Sequence, residues 1–462
     1  MARDEIQITL TEDEVKNLKS LEEAETGPST PNKPLIQKVT QILRACYSKE
    51  ECERYFEPNS VAIGPLHHPK GDWRYEGGEK SKLQLAAMFI KNSGRRKEDF
   101  YNNVKMEINK LRKCYDPKDV EKWNDEELAL MFLVDGCALL NFIYIDVNKK
   151  WKELGGKNYL VAFPKLDLYL LENQLPYQLL KILIKTCNKV SDNEKVKDSN
   201  LARELKKSII SFINMNDMRP GDSPKQQGER EEKEEEEEEE GKEPAHLLEL
   251  LRRRLIHMEG AKHEQDEKLE SNLGNLKNWH TFRNIKELKD HGISCKPSET
   301  SSVMDITFCP NFYKATLKLP PIKVDDYTVP KLMNLIAYEM CPDFMNDFEI
   351  TSYVSFLDSL IDKAEDVKEL RDAGILDNRL GSDKAVARLF NKISTNLVAG
   401  VPNPKQYKEL THRIQEHCNT AWSIHLAQLY HTYFSSPWSI LAFLGALLGL
   451  SLTAVQTYKS FN

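Results

Sequence analysis

A chain of 462 residues with 40% apolar and 30% charged residues holds enough hydrophobic material for a large core or for two to three domains. Its formal net charge is −7, but residues 229–243 carry eleven acidic and three basic side chains, hence −8 by themselves, and the remainder sums to +1. A body so close to neutral lacks the basic face that nucleic-acid binding needs, so the expected partners are proteins and lipid.

The first 34 residues are charged and polar, contain no continuous apolar stretch of the kind a cleavable signal peptide requires, and end in "TGPSTPNKP". They are expected to form a disordered arm, because too little apolar surface is present to offset ordering entropy. Folding is expected from residue 35, and residues 35–218 read as the first half of a helical core. "VAIGPLHHPKGDW" begins as an extended piece with turns at Gly64-Pro65 and Pro69–Gly71, and a helix follows near Lys80. Residues 127–145 are almost wholly apolar but interrupted by Asp135, Gly136 and Asn141, the pattern of a buried core helix rather than a membrane span.

In "DLYLLENQLPYQLL" the apolar residues Leu168, Leu171, Leu175, Leu179 and Ile182 fall at helical spacing, while Glu172, Asn173, Gln174 and Pro176 interrupt the middle. Two helices meeting at a polar hinge explain this, with Asn173 capping the helix that contains Pro176. Glu172 would lie between apolar faces and needs backbone amides or a cation as partners.

Residues 219–243 self-repel and are expected to be a solvated acidic loop; residues 244–434 are the second half of the core. Within that half, alternation at Met304, Ile306 and Phe308 and at Leu317 and Leu319 predicts a small antiparallel β element. Thr328 is expected to cap a helix over 330–340, residues 352–374 to form one helix ending at Gly374, and Ser382 to cap the next. The fold class is therefore mainly α with a small antiparallel β element: one composite helical domain followed by a C-terminal transmembrane helix.

That last helix is read from residues 437–458, "PWSILAFLGALLGLSLTAVQTY", which carry no charge and are long enough to span a bilayer core, with Trp438 and Tyr458 at the interfacial positions. Gly445 and Gly449, four residues apart, would let two such helices approach closely and form a homodimer. A single-pass protein of the plasma membrane or an endomembrane is expected, with orientation unresolved because the flanking charges are too sparse.

Phosphate-binding glycine loops, zinc-protease, serine-hydrolase and kinase motifs are all absent from the sequence. The nine cysteines show no metal-ligand spacing and no disulfide framework is expected. His67 and His68 are adjacent, a poor arrangement for one metal, and the carboxylates Asp135, Glu172, Asp305, Asp358 and Asp383 are scattered. No catalytic, cofactor-binding or metal-binding residue is assigned, and the chain is not expected to be an enzyme.

The blocks "VAIGPLHH", "KSKLQLAAMFI", "MFLVDGCALLNFI", "DLYLLENQLPYQLL", "GISCKPSETSSVMDITF", "DAGILDNRLGSDKAVARLFNKI" and "YFSSPWSILAFLGALLG" resemble, in order, those of the plant domain of unknown function family 247. The likeness covers roughly residues 36 to 460 and makes His67, His68, Asp135, Gly136, Glu172, Asn173, Gln174 and Pro176 the family signature in this chain. Leu66, Met340 and Cys341 depart from the family pattern, and the acidic run is longer than usual. The resemblance implies a helical plant protein with a C-terminal membrane helix, in a family some of whose grass members are tied to self-incompatibility. The expected function is protein interaction in recognition or signalling, through an unknown protein partner; the rivals are an enzyme of unrecognised chemistry using Glu172 or His67 with His68, and a passive structural tether.

Overall fold

The computed structural model describes residues 35–68, 76–151, 165–188, 200–216, 218, 243–256, 284–300, 302–311, 315–342, 348–395, 405–419 and 437–461. The expected N-terminal arm, the turn at Pro69–Gly71 and the acidic loop up to residue 242 lie outside the described residues.

Helices α1 (Gln41–Ala45) and α2 (Lys49–Phe56) lead into α3 (Glu76–Ser93), α4 (Lys97–Met106), α5 (Ile108–Arg112), α6 (Pro117–Val120) and α7 (Asp125–Val147). Starts are set locally: Ser48 and Glu51 form a reciprocal capping box on α2, and Asn124 and Glu127 do the same on α7. Because α7 is apolar on every side, it has no face to give to water and becomes the axis of the first half. It is packed by α3, α4, α8 (Tyr177–Thr186) and α9 (Asn200–Asn216). Gly136 permits one of these contacts: a Cβ there would lie 2.5 Å from Leu183 Cδ1 of α8.

The second half begins with α10 (Leu247–Ile256) and α11 (Ile285–Asp290). Strands β1 (Ile293–Pro297), β2 (Thr307–Cys309) and β3 (Ala315–Leu319) form a sheet of order β1-β3-β2. The expected antiparallel pair is β2–β3, with Phe308 opposite Leu317, and β1 adds a parallel partner on the other edge of β3. β4 (Ile322–Val324) precedes α12 (Thr328–Glu339), α13 (Glu349–Leu360) and α14 (Ala364–Asp372), and then pairs in parallel with β5 (Leu376–Asn378). Helices α15 (Asp383–Thr395), α16 (Lys405–Asn419) and α17 (Pro437–Phe461) complete the chain.

One contiguous apolar cluster runs from Ile36 to Cys418, joining both halves. The halves are bridged where α12 packs directly on α2 and where α10 touches α9 on one side and α12 and α13 on the other. All nine cysteines are free. Burial raises the thiols of Cys114, to about 11, and of Cys187 and Cys295, each to about 12, so these behave as small hydrophobes.

Three local expectations are corrected. The run 352–374 is two helices, because the Asp366 carboxylate accepts from the backbone amides of Asp362 and Lys363 and so starts α14 afresh. Thr328 lies inside α12, and its hydroxyl accepts from the Asp325 amide in the preceding turn instead of capping the helix. Residues 168–175 are not helical beyond a 3₁₀ turn at Asp167–Tyr169, and Pro176 rather than Asn173 occupies the N-cap position of α8.

Candidate functional site

Residues 167–176 and 59–68 lie side by side in the core, two stretches without regular secondary structure except the 3₁₀ turn, so most of their backbone groups need partners outside a helix or sheet ladder. Side chains supply the missing partners. Asp167 accepts from the amides of Asn59 at 3.0 Å, Ser60 at 2.9 Å and Val61 at 3.0 Å. Asn173 accepts from the Ile63 amide at 2.7 Å and donates to the carbonyls of Val61 and Asp167. Gln174 donates to the carbonyls of Leu168 and Leu170 and accepts from the Leu248 amide, which ties the stretch to α10. Asn334 of α12 accepts from Leu171 at 2.8 Å while donating to the carbonyls of Tyr55 and Pro330.

Two charged groups flank this backbone core. Glu172, 3% exposed, accepts from the Val39 amide and the Arg44 guanidinium, both at 2.8 Å, and lies 2.9 Å from His67 Nε2. Burial pushes the Glu172 carboxyl up, but His67 and Arg44 outweigh it and hold it below the ordinary value. On the other flank Lys82, fully buried, reaches Asp135 at 2.8 Å, Glu79 at 2.6 Å and the Ala62 carbonyl at 2.6 Å. Asp135 also accepts from the Gly64 amide at 2.8 Å. Burial alone would lower the Lys82 ammonium, yet its acidic partners keep it above the ordinary value. Gly64 has φ +75°, and a Cβ there would meet the Gln174 carbonyl oxygen at 3.0 Å, so glycine is needed for both conformation and room.

The signature residues are thus brought together, with different duties. His67 belongs to the Glu172 cluster, whereas His68 packs edge-on to Trp123 with ring centroids 5.2 Å apart. Burial moves the His68 imidazole down, away from the charged form. Asp135 and Glu172 grip the 61–68 segment from two sides. Asp305 and Asp383 serve local turns elsewhere, through Thr300 and Asn378. Among the described residues, no group of three or more His, Cys, Asp or Glu is arranged to hold a metal. Each carboxylate oxygen of Asp135, Asp167 and Glu172 already faces an amide, a cation or an imidazole.

Comparison with known proteins places the chain. Residues 36–452 match DUF247, described as a plant protein of unknown function. The chain belongs to that family. The UPF0481 protein At3g47200 of Arabidopsis thaliana is 25% identical over 429 residues, spanning 87% of this chain and 82% of the relative. The putative UPF0481 protein At3g02645 of Arabidopsis thaliana is 28% identical over 179 residues, covering 39% of this chain and 33% of the relative. No solved structure matches.

For this DUF247 chain, Arg44, Lys82, Asp167 and Asn334 complete the cluster but are not legible as members from sequence. Lys82 and Asp167 do sit inside quoted signature blocks, at the edges of apolar runs, where a charge gives no signal of its burial.

The helix α10 entry adds a pH-sensitive element. His246 is fully buried, accepts from the Glu249 amide through Nδ1 at 3.1 Å and packs against the Tyr338 ring. Burial lowers its imidazole to about 4 from 6.5. The unfolded chain therefore binds a proton that the folded chain refuses between those values, and stability falls as pH drops through that window. From pH 7 to pH 5 the expected loss from this group is about 2 kcal/mol. Urea midpoints at the two pH values, with NMR showing the His246 ring still neutral at pH 5, would bear this out; a ring titrating near pH 6.5 would refute it.

Proposed function

We propose that the chain is a membrane-anchored interaction component, held by α17 at the plasma membrane or an endomembrane, that recognises a protein partner through its helical body rather than catalysing a reaction. The observation that carries this reading is a contrast between two helices. Among the described residues, α7 and Leu441–Lys459 are both long and apolar enough to cross a membrane, but 83% of the α7 window is buried in the body and none of the C-terminal window is. An exposed face of Leu444, Leu448, Leu452 and Val455 needs a cover that water does not provide. The hydroxyls of Ser451, Thr453 and Thr457 donate to the carbonyls of Leu447, Gly449 and Thr453, which suits a helix in a medium without water.

Tyr458 is exposed at one end, where an interfacial aromatic would lie; the side chain of Trp438 lies outside the described residues. A Cβ on Gly445 or Gly449 meets nothing within 4 Å, and these open positions suit a second copy's helix in the bilayer. Preference for an interaction role over an enzymatic one is supported by the signature cluster, whose charged groups are spent on one another and on the backbone of residues 59–64 and Val39. A charge at mid-helix costs about 3 kcal/mol to insert. Leu448→Arg with Leu452→Arg is therefore expected to move the protein from the carbonate-resistant membrane pellet to the supernatant. Wild-type protein released by carbonate would defeat the anchor. Proximity labelling that returns only background proteins would defeat the interaction reading separately.

A further inference from the structure

Between α4, α5 and α8 lies an open groove of about 450 Å³. Its apolar contribution is Met106, 74% exposed, and Ile182; its charged lining is Lys110, Lys181 and Lys185 with Glu107 and Glu243. Lys181 and Lys185 stand one turn apart on α8, and Lys110 is 2.7 Å from Glu107. Among the described residues Lys185 has no acidic partner, and it is exposed.

Glu243 is the last acid of the run that begins at Glu229, and its carboxylate is paired with Lys181. Its backbone carbonyl accepts from Arg253 at 3.3 Å, which fixes Glu243 itself beside α10. At the other end the Met218 carbonyl is held by the Lys323 amide. Glu234 to Glu240 are seven consecutive glutamates that end three residues before Glu243. At roughly 3.5 Å per residue, they lie within about 10 to 30 Å of Lys181 along the chain.

We propose that this groove is the docking site of the chain's own acidic run, with glutamates from 234–240 neutralising Lys185 and competing with Glu107 for Lys110 beside the Glu243–Lys181 pair. Three features favour this occupant over a separate molecule. The run is tethered at the groove, so its effective concentration there is in the millimolar range or above. Its charge is opposite to that of the lining lysines. One carboxylate of the same run is already seated on one of them. Attraction between exposed charges makes the contact salt-sensitive, and an incoming partner for this face would have to displace the run.

The test is zero-length carbodiimide coupling of the full chain in detergent micelles, using an equal mixture of unlabelled and heavy-nitrogen-labelled protein, followed by trypsin and mass spectrometry. The Lys181–Glu243 product serves as the internal reference. Expected are amides joining Lys110 or Lys185 to residues 234–240 within one chain, falling roughly threefold or more when salt rises from about 0.05 to about 0.5 M. Absence of those products, or mixed-label products alone, which would make a second copy the occupant, overturns the proposal. So does a yield that salt leaves unchanged.

Discussion

Glu172→Ala is expected to destabilise the folded body by about 3–5 kcal/mol, the range for removing one partner of a buried, hydrogen-bonded ion pair. The figure is large because two donors, the Val39 amide and the Arg44 guanidinium, lose their acceptor together, and His67 loses the carboxylate beside its Nε2. The Val39 amide is buried and cannot turn to water, so its desolvation is left uncompensated. Arg44 is partly exposed and recovers some hydration, which places the expected cost below the sum of the separate contacts. Glu172→Gln keeps an acceptor for Val39 but not the charge, and an intermediate loss is expected. Denaturant titration of the full chain in detergent reads both variants, as a lowered midpoint at unchanged slope. Because the folded carboxyl lies below its ordinary 4.5, the wild-type advantage is present above that value and disappears as pH falls through the lower folded value. The gap between wild type and Glu172→Ala should therefore narrow in acid, and a gap that is absent at neutral pH would mean Glu172 is not a structural tie.

What sequence disclosed here follows the physics of local signals. α7 is legible because Asp135, Gly136 and Asn141 break an apolar run that a membrane helix would keep intact, and the β2–β3 pair because Phe308, Leu317 and Leu319 alternate. Ser382 is legible as a cap because the amide of Ala385 lies within reach of its hydroxyl. The 168–175 stretch misleads for an equally physical reason. Leu168, Leu171 and Leu175 are all buried, yet a stretch sunk in the core on every side places leucines inward whatever its backbone conformation. Asn173 was then free to bond across the core to Ile63, a partner 110 residues away in the chain, and no local rule for caps could anticipate that. Glu172 required partners by the cost of burying a charge, and it has them; their identity as Val39, Arg44 and His67 depends on how distant segments cross.

The Lys82–Asp135 pair makes the same point energetically and gives the sharper experiment. Lys82→Met should cost about 3–5 kcal/mol, since Asp135 would remain buried without its cation and the Ala62 carbonyl without its donor. If charge imbalance dominates that cost, making the partner neutral should recover much of it. Asp135→Asn still offers an oxygen to the Gly64 amide, so Lys82→Met with Asp135→Asn is expected to be more stable than Lys82→Met alone, with a coupling of about 1–3 kcal/mol in the double-mutant cycle. Recovery should nonetheless be incomplete. The Ala62 carbonyl loses its lysine in either variant, and Ala62 lies in the extended piece that Asp167 and Asn173 also hold through the Val61 amide and carbonyl. Full recovery would mean the lysine serves only to neutralise Asp135. No recovery would mean its bond to the Ala62 carbonyl, fixing the 61–68 segment against α3, is the larger part of its role.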